Sequence, residues 1–241
     1  NIGVNGGSLK VHGLMDWSEG AFGKINFSAD ELPLFLMGYG SCFANINAEA
    51  AFGEQNSIRG TVVIPKARIL VNGLGENGTV PSQDEVIIGE NGGEELLKEV
   101  RRRNGLQDEN LSVDLSLDLG SDVKVEAMGL KTDLQGGINF KKSLQQKDIR
   151  AEGIVSSVNG RAELYGHRFL LTYAQSVFDG NIADPKINAE VIADPSGIED
   201  EVEAGVRVSG RARDPEIVLF SKPAMSQNEI LSYLLYGHGL D

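Results

Sequence analysis

The chain holds a single cysteine, Cys42, in 241 residues. An internal disulfide and a cysteine-built zinc cluster are both excluded, although one thiol assigns no redox compartment. Cys42 reads as a small buried apolar residue, not as a nucleophile. Aromatic side chains are scarce at 6%, with Trp17 the one tryptophan, so little bulky filler exists for a core. No run approaches the roughly 18 apolar residues that cross a bilayer as a helix. The opening Asn1-Ile2-Gly3 lacks the layout of a signal peptide, and an export signal or anchor is expected outside this chain, which reads as a segment of something longer. Positive charge is also in short supply: 22 Lys and Arg against 35 Asp and Glu, or 22 − 35 = −13. Nucleic acid, which draws on clustered cations, is not an expected partner. The one dense cluster, Arg101-Arg102-Arg103, follows Glu94, Glu95 and Glu99 and is offset by them. Adsorption of the whole chain onto anionic lipid is disfavoured for the same reason.

Catalytic signatures are missing too. His12, His167 and His238 lie in separate segments without partners at metal-ligand spacing and read as surface or turn residues. Gly73-Leu74-Gly75-Glu76-Asn77-Gly78 matches G-x-G-x-x-G. It leads into Thr79-Val80-Pro81 instead of the helix that a pyrophosphate site needs, so no dinucleotide is expected. Glu199-Asp200-Glu201, with Asp194 nearby, lacks the spacing that gathers oxygens around calcium and reads as a solvated loop. No metal, cofactor or catalytic residue is assigned, and the chain is expected not to be an enzyme.

What is abundant is glycine, 30 residues or about 12% against roughly 7% in average usage, together with a period of two. Leu111-Ser112-Val113-Asp114-Leu115-Ser116-Leu117-Asp118-Leu119 alternates without a fault, and a strand of that pattern has one greasy and one wet face. The same alternation runs through Val123-Lys124-Val125-Glu126-Ala127, Ile187-Asn188-Ala189-Glu190-Val191 and Val202-Glu203-Ala204-Gly205-Val206-Arg207-Val208. Further strands are expected over 58–64, 67–72, 134–140, 149–155, 161–165, 168–173, 177–182 and 216–220. Turn pairs such as Asn159-Gly160 and Asp179-Gly180 punctuate them at short intervals. The spacing suits antiparallel neighbours and leaves little room for helical crossovers. The class is all-β with a few short helices.

Three segments depart from the pattern. Residues 28–37 open with Ser28 and Glu31, but Pro33 limits a helix there to about a turn. Residues 94–103 place Leu96, Leu97 and Val100 on one helical face. The clearest helix covers 227–236, with Ser226 and Glu229 as a capping box and Gly237 as the C-cap. Its positions Ile230, Leu231, Leu234 and Leu235 form one stripe that must cover something. The expected division is an N-terminal β segment over 1–75, an acidic mobile insertion over 76–109 that takes in the second of these helical segments, and a β segment over 110–241 ending in the capping helix.

A one-sided greasy sheet has two ways to cover itself. A second sheet makes a sandwich or barrel. Alternatively the sheet curls into an open trough whose wall meets an apolar guest. Medium and small wall residues and abundant glycine favour the trough.

The order Gly160-Arg161-Ala162-Glu163-Leu164-Tyr165-Gly166, Phe178-Asp179-Gly180-Asn181-Ile182-Ala183-Asp184-Pro185, Ala204-Gly205-Val206-Arg207-Val208-Ser209-Gly210, Asp214-Pro215, Phe220-Ser221-Lys222-Pro223-Ala224-Met225-Ser226-Gln227 and Ile230-Leu231-Ser232-Tyr233-Leu234-Leu235 resembles the C-terminal region of the TamB family. TamB proteins are inner-membrane-anchored subunits of the translocation and assembly module of Gram-negative bacteria, and the likeness is strongest over 111–240. The resemblance implies a β-taco, a long antiparallel sheet folded into a trough lined with apolar side chains. It also implies a periplasmic location, a partnership with the outer-membrane barrel TamA through parts of the protein outside this chain, and a role in outer-membrane protein and autotransporter assembly and in phospholipid movement.

The expected working surface is therefore an apolar groove of Val113, Leu115, Leu117, Leu119, Val123, Val125, Ile187, Ala189, Val191, Val202, Ala204, Val206 and Val208, closed by a helix through Ser226, Glu229, Ile230, Leu231, Leu234 and Leu235. Its expected guest is a phospholipid acyl chain or another apolar chain. Two other roles fit the same pattern: a chaperone-like module that pairs edge strands with unfolded outer-membrane precursors, and a spacer with no ligand.

Overall fold

The computed structural model describes residues 2–4, 7–16, 22–36, 39–71, 110–127, 129–164, 166–198 and 202–239. The G-x-G-x-x-G match, the 94–103 helix, the acidic insertion and the run Glu199-Asp200-Glu201 lie outside these residues. Twelve strands follow one another: β1 (Ile2–Val4), β2 (Gly7–Asp16), β3 (Phe22–Leu36), β4 (Gly40–Phe52), β5 (Asn56–Val71), β6 (Leu111–Ala127), β7 (Leu130–Lys142), β8 (Arg150–Leu164), β9 (His167–Asn181), β10 (Lys186–Ala193), β11 (Glu203–Arg211) and β12 (Asp214–Lys222). They form one sheet in which order in space is order in the chain. The fold is all-β, as the alternation requires.

One pairing corrects the expectation of an antiparallel sheet throughout. β5 and β6 run parallel, Asn56 beside Leu111 and Val71 beside Ala127. A parallel pair needs a connection of a dozen or more residues, and the chain between Val71 and Asn110 is long enough to supply one. Only the shorter links elsewhere compel hairpins.

The strands are also longer than alternation alone indicates. The separate stretches 58–64 and 67–72 are one strand of 16 residues, and 111–119 and 123–127 one of 17. The register shifts between Ile64 and Lys66 and between Leu119 and Val123. The first puts Ala67 out of step with Ile64, whereas Leu119 and Val123, four residues apart, stay in step. The same happens in β8, where Lys131–Asp133 of β7 faces a longer run of the partner. A bulge inserts an extra residue, so side chains beyond it resume the original face out of step with the count.

Shifts recur between Ala29 and Leu32, Phe43 and Asn45, and Glu190 and Val191. They mark a line of irregularity across the sheet. Bulges bend a strand and tighten its twist, which suits a curled sheet. Ile64 and Leu119 on one side of the line meet Ala67, Ile69 and Val123 on the other, with Cys42 and Leu134, in one buried cluster. Cys42 is buried as expected, and burial pushes its thiol pKa up.

Residues 28–36 form no helix. They belong to β3, and Pro33 pairs with Phe43 of β4. β2 reaches only as far as Asp30, so from Leu32 onward β3 has one described neighbour and is locally an edge. A missing N–H costs little there. Asp30 and Glu31 are left out of the β3–β4 ladder, and the Glu31 N–H donates to Asn45 Oδ1 at 2.7 Å.

The helix α1 (Gln227–Tyr236) begins as its sequence requires. Ser226 Oγ accepts from the Glu229 N–H at 3.4 Å, and Glu229 Oε2 accepts from the Ser226 N–H at 2.9 Å. Gly237 ends it at φ 80°, a left-handed conformation that glycine adopts without a Cβ penalty. Ile230, Tyr233 and Leu234 pack on Ala193, Val202 and Ala204 of the sheet. Of the stripe, Ile230 and Leu234 are buried. Leu231 and Leu235 stay 42% and 47% exposed, because a sheet touches only one face of a helix and at 100° per residue these two turn away.

Candidate apolar groove

The inner wall is assembled by register. Cα partners in a ladder place their side chains on the same face, so each row can be followed from strand to strand. One row runs Val11, Phe27, Ala48, Gly60, Leu115, Phe140, Ala151 and Gly180. The next runs Leu9, Ala29, Ile46, Val62, Leu117, Ile138, Gly153 and Phe178. Beyond the bulges, Cys42, Ala67, Val123, Leu134, Ser157, Ala174, Ala189, Val208 and Ile217 form a third.

The sequence-predicted residues of β6 and those of β10 and β11 are thereby joined. Leu119 reaches Ile187 through Gly136, Val155 and Ser176, and Val123 reaches Ala189 through Leu134, Ser157 and Ala174. Val191 lies beside Val206. With neighbouring strands about 4.8 Å apart, twelve of them make a wall on the order of 50 Å long.

Enclosure along this wall is uneven. Leu115, Leu117, Leu119, Val125, Ile187, Ala189, Val191, Val206 and Val208 are half-buried. Val113 and Val123 are buried by their neighbours, and Val202 and Ala204 lie in the buried cluster beneath α1. Phe169, Val206 and Leu219 pack against that same cluster. The helix therefore covers the wall at its β11–β12 end and leaves the remainder to the trough. Among the described residues β1 and β12 each have one strand neighbour, and the sheet they bound does not close into a barrel. A core residue sealed by a second sheet would have almost no exposure, and most of this wall is not in that state.

The wall also contains residues that alternation did not single out: Phe27, Val62, Leu134, Ile138, Phe140 and Phe178. In β7 the signal was present, with Leu134, Gly136, Ile138 and Phe140 at every second position, but the glycine hid it.

The outer face is charged. Lys124 Nζ lies 3.0 Å from Asp133 and Lys24 Nζ 2.8 Å from Glu49. Arg207 donates to Glu190 at 2.7 Å and lies 4.1 Å over the Phe220 ring. Its guanidinium holds the Glu190 carboxyl below the usual range. These pairs are exposed and contribute little to stability individually. They keep the outer face wet and make a one-residue slip costly. Among the described residues no three His, Cys, Asp or Glu side chains stand together as metal ligands, and no helix is long and apolar enough to cross a membrane.

A single open-edged sheet, greasy and concave on one side and ionic on the other, defines a β-trough protein. Residues 2–241 match the family described as the TamB C-terminal domain, and the chain belongs to that family. The translocation and assembly module subunit TamB of Haemophilus influenzae is 35% identical to it over 203 residues, which are 82% of this chain and 15% of that relative.

Proposed function

We propose that the chain is a non-enzymatic, periplasmic stretch of a TamB-like protein whose trough conducts phospholipid acyl chains and so serves outer-membrane assembly. The observation that carries this is the continuous half-open apolar wall spanning the register rows. Burying one methylene is worth about 0.8 kcal/mol, so a sixteen-carbon chain exposed to water costs on the order of 12 kcal/mol. A wall of aliphatic side chains offsets much of that cost without any strong single contact, which permits sliding. The relative's name, a subunit of a translocation and assembly module, supports work within such a module, with the outer-membrane barrel TamA engaged by parts of the protein outside this chain.

A second reading takes outer-membrane precursors as the cargo. Among the described residues β12 pairs only with β11, and its Ile217 and Val218 are exposed, which suits addition of a client strand at that edge.

Photo-crosslinkers placed at Leu115 and Leu117, and at their outward neighbours Asp114 and Ser116, test both in living cells. Lipid adducts at the first pair and not the second are expected. Adducts to precursor proteins alone favour the second reading, and equal lipid labelling of both faces removes the groove from consideration.

A further inference from the structure

We propose that Lys141, Lys147 and Arg150 form a phosphate-binding station on the lip of the trough, holding the head group of an amphipath whose tails lie on the inner wall. The station rests on the lipid-conducting role proposed above and adds to it a place and a charge requirement.

In the β7–β8 ladder Lys141 stands directly opposite Arg150. Like charges so placed repel and destabilise a sheet; on its other side Lys141 faces Asp114 across the β6–β7 ladder. Their neighbours neutralise them weakly. Lys141 Nζ comes no closer than 3.9 Å to Glu152, with both side chains more than half exposed. Arg150 donates to a neutral acceptor, the Asp179 carbonyl, at 3.4 Å. The Asp179 carboxylate is already occupied: Arg211 holds it through two contacts at 2.7 and 3.1 Å, and Lys186 through one at 2.8 Å. Lys147 has no carboxylate partner among the described residues.

Two hollows flank the pair. One of about 560 Å³ lies between Lys147–Arg150 and Gly180–Ala183. The other, about 490 Å³, holds Arg59, Lys141 and Lys142. With Lys142 buried against the Leu111 carbonyl, four further cations, Arg59, Lys141, Lys147 and Arg150, line them against two carboxylates, Asp114 and Asp148, in a chain of net charge −13. The local surplus therefore runs against the composition.

The second hollow also contains Ile58, Val113 and Leu144, and Ile58 and Val113 are register partners on the inner wall. Charge and grease meet at the ends of the strands, where a phosphate has to leave the cleft if its tails are to stay in it. Arginine offers a planar fork to phosphate oxygens and lysine a point charge. Free phosphate carries the same chemistry without the tails.

The test is calorimetry on the full chain with three probes below any micelle concentration: dihexanoyl phosphatidylglycerol, dihexanoylglycerol and inorganic phosphate. The phospholipid is expected to bind about tenfold more tightly than the diacylglycerol, through charge-assisted contacts. Combined substitution Lys141→Gln, Lys147→Gln and Arg150→Gln is expected to abolish that advantage and leave diacylglycerol binding unchanged. Raising salt from roughly 50 to 300 mM shrinks the advantage in the parent and not in the variant. Arg150→Gln alone, at one exposed position, gives an intermediate loss and stands in should the triple variant misfold. Equal binding of both lipids, unaffected by the substitutions, overturns the station and leaves the wall intact. Phosphate binding as tightly as the phospholipid overturns the head-group assignment. Failure of both lipids to bind the parent sinks the conducting role itself, and the station with it.

Discussion

Leu117 of β6 sits directly opposite Ile138 of β7, both on the concave face, and neither side chain is buried. Leucine and isoleucine facing each other at the middle of two long central strands would ordinarily be core residues. Their half-open state is what separates a trough from a sandwich, and several outcomes depend on it.

A charge at Leu117 should be tolerated and one at Val123 should not. The two share a face and a strand, but Val123 is 1% exposed within the cluster at the bend. Leu117→Asp is expected to cost under about 1.5 kcal/mol, and Val123→Asp about 4 kcal/mol or more, from an unpaired buried carboxylate. Urea denaturation of the two variants measures the difference. Equal costs mean that the wall is sealed.

Helix α1 should be held by one face only. Leu234 is buried against the sheet, whereas Leu235 projects away from it. Leu234→Ala is expected to destabilise by about 2–4 kcal/mol and Leu235→Ala by within about 0.5 kcal/mol, read as shifts in thermal midpoint.

The N-terminus of the same helix depends on Ser226, whose hydroxyl caps the Glu229 N–H. Ser226→Ala is expected to cost about 1 kcal/mol, while Ser226→Asp, which can accept the same bond, recovers most of it. Amide exchange over 227–236 reports the loss directly.

Acid should loosen the β9–β11 end through Asp179. Hydrogen bonds from Arg211, and then from Lys186, lower its carboxyl from 3.8 to about 2. A carboxyl whose folded pKa is depressed binds fewer protons when folded, so its contribution is complete above pH 3.8 and fades as pH falls through about 2. Asp179→Asn should flatten the pH dependence of stability in that window, and carboxyl NMR should place the Asp179 midpoint near 2. A midpoint near 4 would mean that the Arg211 contact does not persist in solution.

Much of this architecture was legible before any coordinates. The alternation of 111–119 names the faces of β6, and Ser226, Glu229 and Gly237 name both ends of α1, because side-chain period and capping chemistry are local properties of the chain. Residues 28–36 were not legible. Ser28, Glu31 and Pro33 carry helix-start and helix-stop signals, yet pairing with β4 draws them into a strand, since ladder partners distant in sequence outweigh weak local preference. Leu231 and Leu235 failed for a related reason: a helical stripe shows which residues are apolar, not how wide a surface awaits them.

The sequence by itself determined an all-β chain with one greasy and one wet face and a capped terminal helix. Each follows from interactions within a few residues. Only the tertiary structure decided that β5 and β6 run parallel, that the register shifts within the long strands, and that the helix covers one end of the wall and leaves the rest half open. Those depend on contacts between residues far apart in the chain, where the entropy of closing long loops is set against burial that no local pattern encodes.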